Sequence, residues 1–172
     1  CSSNLIPFSI AGNSISDCNG NLLFYTNGKL VWNKLHQLMQ HPCINDSANN
    51  FTPEALRVKI LKQINNDSLF YIFYSTGSWG LRYAVININH DNGNGDIISV
   101  NNFINNLWVN NSTQTRGPEL IKHSNGTDYW LLCKPNDNEI YSYLISGSGI
   151  NTNPVVSNIY GFASRKSSIK AS

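Results

Sequence analysis

The segment LFYIFY at residues 69–74 is apolar or aromatic at six consecutive positions. A strand with one face in water alternates apolar and polar residues, so an unbroken run predicts a strand that is covered on both faces. The run is also far shorter than the roughly 20 apolar residues of a membrane-spanning helix. Residues 21–33 and 128–146 contain strand pairs of the same kind. The chain therefore has to place hairpins between other layers of structure.

Turn residues divide these segments into three hairpins. Asn27-Gly28 is a two-residue hairpin signal within residues 21–33, a short Gly-containing loop divides residues 68–89, and Asn-Asp-Asn divides residues 128–146. An earlier strand is predicted before the second and third hairpins, within residues 55–67 and 118–128. A more polar strand is predicted after each hairpin, within residues 35–42, 96–104 and 153–159.

This order predicts an all-β fold, a β-propeller-like array of about three four-stranded antiparallel blades. The approximate units are residues 12–50, 51–104 and 118–160, with the start of another at 167–172 and an enlarged connection at 105–117. Only residues 33–40 carry a helix-like pattern. Because propellers usually close with four to eight blades, we expect a single partial propeller domain, either part of a larger propeller or an open, twisted array. The apolar faces at its two ends then predict self-association of the isolated piece.

Composition excludes several classes of protein. A net charge of +2 with scattered Lys and Arg gives no basic patch, so we expect no nucleic-acid partner. No stretch is long and apolar enough for a transmembrane segment, and we expect this region to be soluble. The first residue is Cys1, which fits a processed terminus, with or without lipid modification, or an arbitrary start. Cys1, Cys18, Cys43 and Cys133 form no CxxC pair, which leaves one disulfide or free thiols as alternatives.

Three separated blocks resemble a known family. Residues 15–39, 80–97 and 121–134 are similar to a propeller-like repeat region of large secreted Bacteroidetes proteins. Many of these proteins end in a type IX secretion sorting domain or a gliding-motility-associated C-terminal domain. The segment FTPEALRVKILK, at residues 51–62, departs from the small-residue and Pro-rich strand usual there. The resemblance implies a secreted or outer-surface bacterial protein, and it implies no catalytic activity.

No catalytic motif stands out. The sequence has no HExxH, no GxSxG and no complete dinucleotide fingerprint. Its glutamates, Glu54, Glu119 and Glu139, fall in different units, whereas glycoside hydrolysis needs a pair of carboxylates. We therefore assign no catalytic residue and expect no cofactor.

Repeated lysines are the first candidate ligand-binding residues. Alignment of the units places Lys62, Lys122 and Lys170 at equivalent positions near the end of each inner strand. Facing a central channel, they would form a ring of positive charge for an anionic ligand. The alternative is that each lysine stem covers a neighbouring aromatic ring. His123 is a further candidate, or else it ties its own turn through a ring-nitrogen hydrogen bond.

Two tryptophans and one acidic turn complete the candidates. Trp79 and Trp108 fall in loop-like stretches and could stack on a sugar, whereas Trp32 and Trp130 sit in apolar strands and are predicted to be core. The segment HDNGNGD at residues 90–96 favours a turn. A weaker alternative is a calcium site that uses the oxygens of Asp91, Asn94 and Asp96.

The residues together favour a non-catalytic binding or scaffold module at the bacterial surface, with loops that contact a protein or a glycan. One alternative is a hydrolase acting on a polysaccharide or an ester at the mouth of the propeller channel. The other is a purely structural spacer.

Overall fold

All three predicted hairpins form, and each belongs to an antiparallel sheet whose strands follow one another in chain order. The computed structural model describes residues 12–44, 58–75, 80–104, 116–136 and 138–159. Sheet 1 contains β1 (Asn13–Ser16), β2 (Leu22–Thr26), β3 (Leu30–Asn33) and β4 (Leu38–Cys43). Sheet 2 contains β5 (Val58–Lys62), β6 (Leu69–Ser75), β7 (Leu81–Asn87) and β8 (Asp96–Phe103). Sheet 3 contains β9 (Arg116–Lys122), β10 (Tyr129–Lys134) and β11 (Glu139–Ser146), with β12 (Gly149–Ile150) and β13 (Val155–Asn158) both paired to β11.

The hairpin between β2 and β3 shows how local sequence sets the register. Gly28 has φ +87°, a conformation that a side chain would strain. The Asn27 side-chain oxygen accepts the N–H groups of Lys29 and Leu30 at 3.0 and 2.9 Å. The turn therefore satisfies its own backbone, and Tyr25 pairs with Trp32 beyond it.

Sheet 2 is buried on both faces, as the unbroken apolar run predicts. Phe70, Ile72 and Tyr74 of β6 pack into a core shared with sheet 1. Tyr71 and Phe73 of the same strand pack into a second core shared with sheet 3. Because successive β6 side chains point to opposite faces, this strand packs against both neighbouring sheets. Full burial of one such side chain contributes about 1.5–3 kcal/mol.

Polar contacts accompany the apolar cores at both junctions. The Asn13 side-chain amide donates to the Val58 carbonyl at 3.0 Å, from β1 to β5. Lys59 Nζ lies 2.8 Å from Glu119 Oε1, from β5 to β9. Lys59 and Glu119 each stand three residues before the end of their strand. The turn after β5 also lies next to the turn after β11, and β11 runs parallel to β9. The first strands of sheets 2 and 3 therefore lie side by side and run in the same direction.

The connections depart from expectation at one point. The prediction of a helical turn at 33–40 is wrong. The Asn33 side-chain oxygen instead accepts backbone N–H groups of a tight turn, and β4 follows that turn. The described helix is the single turn α1 (His90–Gly93), in which Asp91 and Asn92 have φ values of 49° and 54°. Asn residues and Asp accept this conformation at lower strain than most residues do.

The three described cysteines are in different states. Cys43 is disulfide-bonded, Cys18 is an exposed free thiol and Cys133 is a buried one. Burial raises the pKa of the Cys133 thiol to about 12.

Within the described ranges, no helix has the length and apolarity that a membrane crossing requires. The predicted start of a further unit at 167–172 lies outside the described residues, as does nearly all of the connection at 105–117.

Candidate functional site

One end of the three sheets carries three turns built on the same plan. Each joins the first strand of its sheet to the second, at residues 17–21, 63–69 and 123–128. In each, the N–H of the first residue donates to the carbonyl of the last, at 2.9, 2.9 and 2.8 Å respectively. Neighbouring strands in each sheet run in opposite directions. The three turns therefore lie at the end of the sheets opposite to the Asn27-Gly28 hairpin. We call this set the turn face.

An Asp or Asn side chain organises each turn from within. The oxygens Oδ1 of Asp17, Asn66 and Asn125 each accept two backbone N–H groups, at 2.8–3.1 Å. The hydrogen bonds that Asp17 accepts, from the Asn21 side chain and then from backbone N–H groups, hold the pKa of its carboxyl below the usual value. The turns are thus ordered by their own side chains.

Lys62 and Lys122 occupy matching places at this end. Each is the last residue of its first strand, and each is exposed. Lys62 forms an ion pair with Asp67 of its own turn, and that hydrogen bond, aided by the lysine charge, lowers the pKa of Asp67. Ser16 takes the corresponding place in sheet 1, so the described lysines form two points rather than a ring. Lys170 lies outside the described residues.

His123 has a role inside its turn. Its Nδ1 accepts the Asn125 N–H at 3.1 Å, and its ring lies 5.5 Å from the Trp130 ring. The structure therefore shows the turn-tying hydrogen bond expected as the alternative to ligand binding. Trp79 and Trp108, the two predicted stacking residues, lie outside the described residues.

The acidic segment 90–96 divides between two places. Asp91 and Asn94 belong to the turn between β7 and β8, where the Asn94 N–H donates to the Asp91 carbonyl at 3.0 Å. Asp96 instead begins β8, is 5% exposed and directs its carboxylate toward sheet 1. No group of three His, Cys, Asp or Glu side chains arranged to hold a metal is found in the described part of the chain.

The sequence did not reveal a contact between Asp96 and His41, which are 55 residues apart. The imidazole Nδ1 of His41 lies 2.6 Å from Asp96 Oδ2, and the His41 backbone N–H donates to Oδ1 at 2.9 Å. Burial alone would raise the pKa of the Asp96 carboxyl. Hydrogen bonds from the His41 ring, its N–H and the Ile97 N–H outweigh that effect and lower it.

An open groove lies beside this pair, between the last strands of sheets 1 and 2. It has a volume of about 320 Å³ and runs between Gln40–Cys43 of β4 and Ile97–Val100 of β8. The His41 side chain is 71% exposed at its edge while its Nδ1 is fixed by the buried carboxylate. The pair links sheet 1 to sheet 2 and fixes the orientation of the His41 ring.

No protein-family model, curated protein or solved structure that was compared with the chain matches it.

Proposed function

We propose that this chain is a non-catalytic binding or scaffold module of a secreted or cell-surface protein. In this proposal the three sheets are blades of a propeller-like array, and the turn face contacts a protein or a glycan. The observation that carries it is the set of three matching turns, each internally hydrogen-bonded, at one end of a stack whose middle sheet is buried on both faces.

Preordered turns favour binding for a physical reason. A loop that must be ordered on association loses conformational entropy, about 0.5–1.5 kcal/mol for each side chain that becomes immobile. In these turns Asp17, Asn66 and Asn125 already hold the backbone. Exposed amides and carboxylates around them both donate and accept hydrogen bonds, which suits sugar hydroxyls and peptide groups alike.

The cysteines support a location outside the cytoplasm. Cys43 is disulfide-bonded. Disulfides persist in oxidising compartments and are rare in the bacterial cytosol. The association with type IX secretion rests on the sequence resemblance. Protease treatment of intact cells that express the full-length protein tests it, because an exported module is degraded while a cytosolic marker survives.

A glycan array with the purified chain tests the binding function. We expect Lys122→Glu, which alters the turn face, to weaken binding at least about tenfold, equivalent to about 1.4 kcal/mol. The matched control is Lys29→Glu, the same charge change in the hairpin at the opposite end of sheet 1. Equal losses in the two variants would contradict the assignment of the turn face.

The same array separates this function from hydrolysis. Release of products from a bound glycan or ester would overturn a non-catalytic role, and His41 would then be the residue to replace first, because Asp96 already orients its ring. An array with no binding would overturn the glycan partner and direct the same variants to candidate surface proteins.

A further inference from the structure

Strand pairing shows which residues are equivalent in the three sheets. The second-last residue of each first strand pairs with one residue of the second strand, namely Phe24, Tyr71 and Trp130 in sheets 1, 2 and 3. Phe24 packs in the core between sheets 1 and 2, and Tyr71 in the core between sheets 2 and 3. They are 0% and 7% exposed. Trp130 stands at the same position of sheet 3, on the side where the described chain has no further sheet.

The neighbours of Trp130 complete an apolar surface. Ile121 and Leu144 pair with Trp130 from either side, and Leu132 lies two residues further along β10. None of the four is in the core that sheet 3 shares with sheet 2, and all are partly exposed. We call Ile121, Trp130, Leu132 and Leu144 the end face.

Sheet 1 has an apolar surface on its opposite side, the side that faces away from sheet 2. The residues after Phe24, Tyr71 and Trp130 pair with the third strands at Trp32, Ala84 and Tyr143. Ala84 and Tyr143 are 0% exposed, because each is covered by the preceding sheet. Trp32 has no preceding sheet in the described chain. It stacks on Tyr25 at 5.3 Å and pairs with Leu38, which is 45% exposed. We call Tyr25, Trp32 and Leu38 the start face.

We propose that the end face of one copy of this chain docks onto the start face of a second copy. The new junction repeats the packing already made twice within the chain, from sheet 1 to sheet 2 and from sheet 2 to sheet 3. A head-to-tail contact of this kind closes into a ring when its rotation permits. The described parts of two copies contribute six sheets, within the four to eight of closed propellers.

The charges at the junctions are compatible with this contact. The named residues of both faces are apolar or aromatic. Glu119, which pairs with Leu132 on the end face, already forms an ion pair with Lys59, so docking leaves no unpaired carboxylate there. The exposed imidazole of His36 lies 5.7 Å from Tyr25, at the edge of the start face, where it can stay in water. The contact therefore resembles the two internal junctions, whose centres are likewise apolar.

Sedimentation velocity of the 172-residue chain is the first test. The expected mass is twice 19.2 kDa. Leu38→Glu on the start face and Trp130→Asp on the end face should each give a monomer with an unchanged far-ultraviolet circular dichroism spectrum. The control is Ile98→Glu, which changes a residue 44% exposed on β8 and outside both faces, and it should remain a dimer. If Trp130→Asp does not fold, Leu144→Glu replaces it.

Mixing the two monomeric variants tests the head-to-tail geometry. A pair made of one Leu38→Glu copy and one Trp130→Asp copy retains one junction with both faces intact, whereas either variant alone retains none. We expect the mixture to recover dimer, with a weaker affinity than the unmodified chain. A monomeric unmodified chain would overturn the proposal, as would a dimer that survives both variants. Open polymers that grow with concentration would overturn closure by two copies.

Discussion

Replacing Asp96 with alanine is expected to weaken the junction between sheets 1 and 2. The carboxylate is 5% exposed and accepts three hydrogen bonds, from the His41 ring, the His41 N–H and the Ile97 N–H. Alanine leaves both N–H groups without that acceptor. An unsatisfied buried donor costs about 1–3 kcal/mol. Because the groove beside His41 admits some water, we expect a total loss of about 2–4 kcal/mol in the free energy of unfolding.

Two companion variants separate the contributions. His41→Ala removes only the bond to an imidazole that is 71% exposed, so we expect a loss of about 1 kcal/mol or less. Asp96→Asn keeps an oxygen for the two backbone N–H groups and should fall between the two alanine variants. The expected order of stability is therefore unmodified chain, His41→Ala, Asp96→Asn and Asp96→Ala.

Acid should remove this contribution. The pKa of Asp96 is lower in the folded chain than its ordinary value of about 3.9. Its stabilising effect is therefore complete above about pH 4 and is lost as the pH falls through the lower folded pKa. The difference in unfolding free energy between the unmodified chain and Asp96→Asn should accordingly shrink below about pH 4.

Urea unfolding followed by intrinsic fluorescence measures these differences through the midpoint, provided that the slope of the transition stays constant. A loss below about 0.5 kcal/mol for Asp96→Ala would refute the reasoning, since that is the range of ordinary surface substitutions. A larger loss for His41→Ala than for Asp96→Ala would also refute it, because the backbone bonds would then carry no weight.

Three further predictions follow from burial and backbone geometry. Phe73→Ala should lower stability by about 3–5 kcal/mol in urea unfolding, while Ile98→Ala stays within about 0.5 kcal/mol, and similar losses would contradict a double-buried β6. Cys133 should resist a thiol reagent in the folded chain at pH 8, because burial raises its pKa to about 12, whereas the exposed Cys18 should react; rapid modification of both would contradict the buried placement. Gly126→Ala should lower the free energy of unfolding by about 1 kcal/mol through strain at φ +78°, and with it the melting temperature; an unchanged melting temperature would contradict that backbone conformation.

Local pattern in the sequence was enough to predict most of the strands, although not β1 or β12. The hairpins and the polar strands after them match β2–β4, β6–β8, β10, β11 and β13, because alternation and turn residues are local properties. The contact between His41 and Asp96 was missed because it depends on how two sheets stack, and 55 residues separate the partners. No local signal in the sequence marks such a pair.

Trp32 and Trp130 show a second limit. Both stand in apolar strands and are predicted to be core, yet both are partly exposed and belong to neither described core. Their positions are core positions in the other sheets. The apolar pattern identifies core-type positions, but it does not tell whether a neighbouring sheet of the described chain covers them.

The turn face changes what the repeated lysines mean. The sequence places Lys62 and Lys122 at equivalent positions, and the structure agrees, but Lys62 is paired with Asp67 and the place in sheet 1 belongs to Ser16. A ring of like charge is therefore interrupted within the described sheets. The carboxylate or amide oxygen that accepts two backbone N–H groups is instead found in all three turns. The common feature of the three described sheets is thus a turn ordered by its own Asp or Asn side chain rather than a lysine charge.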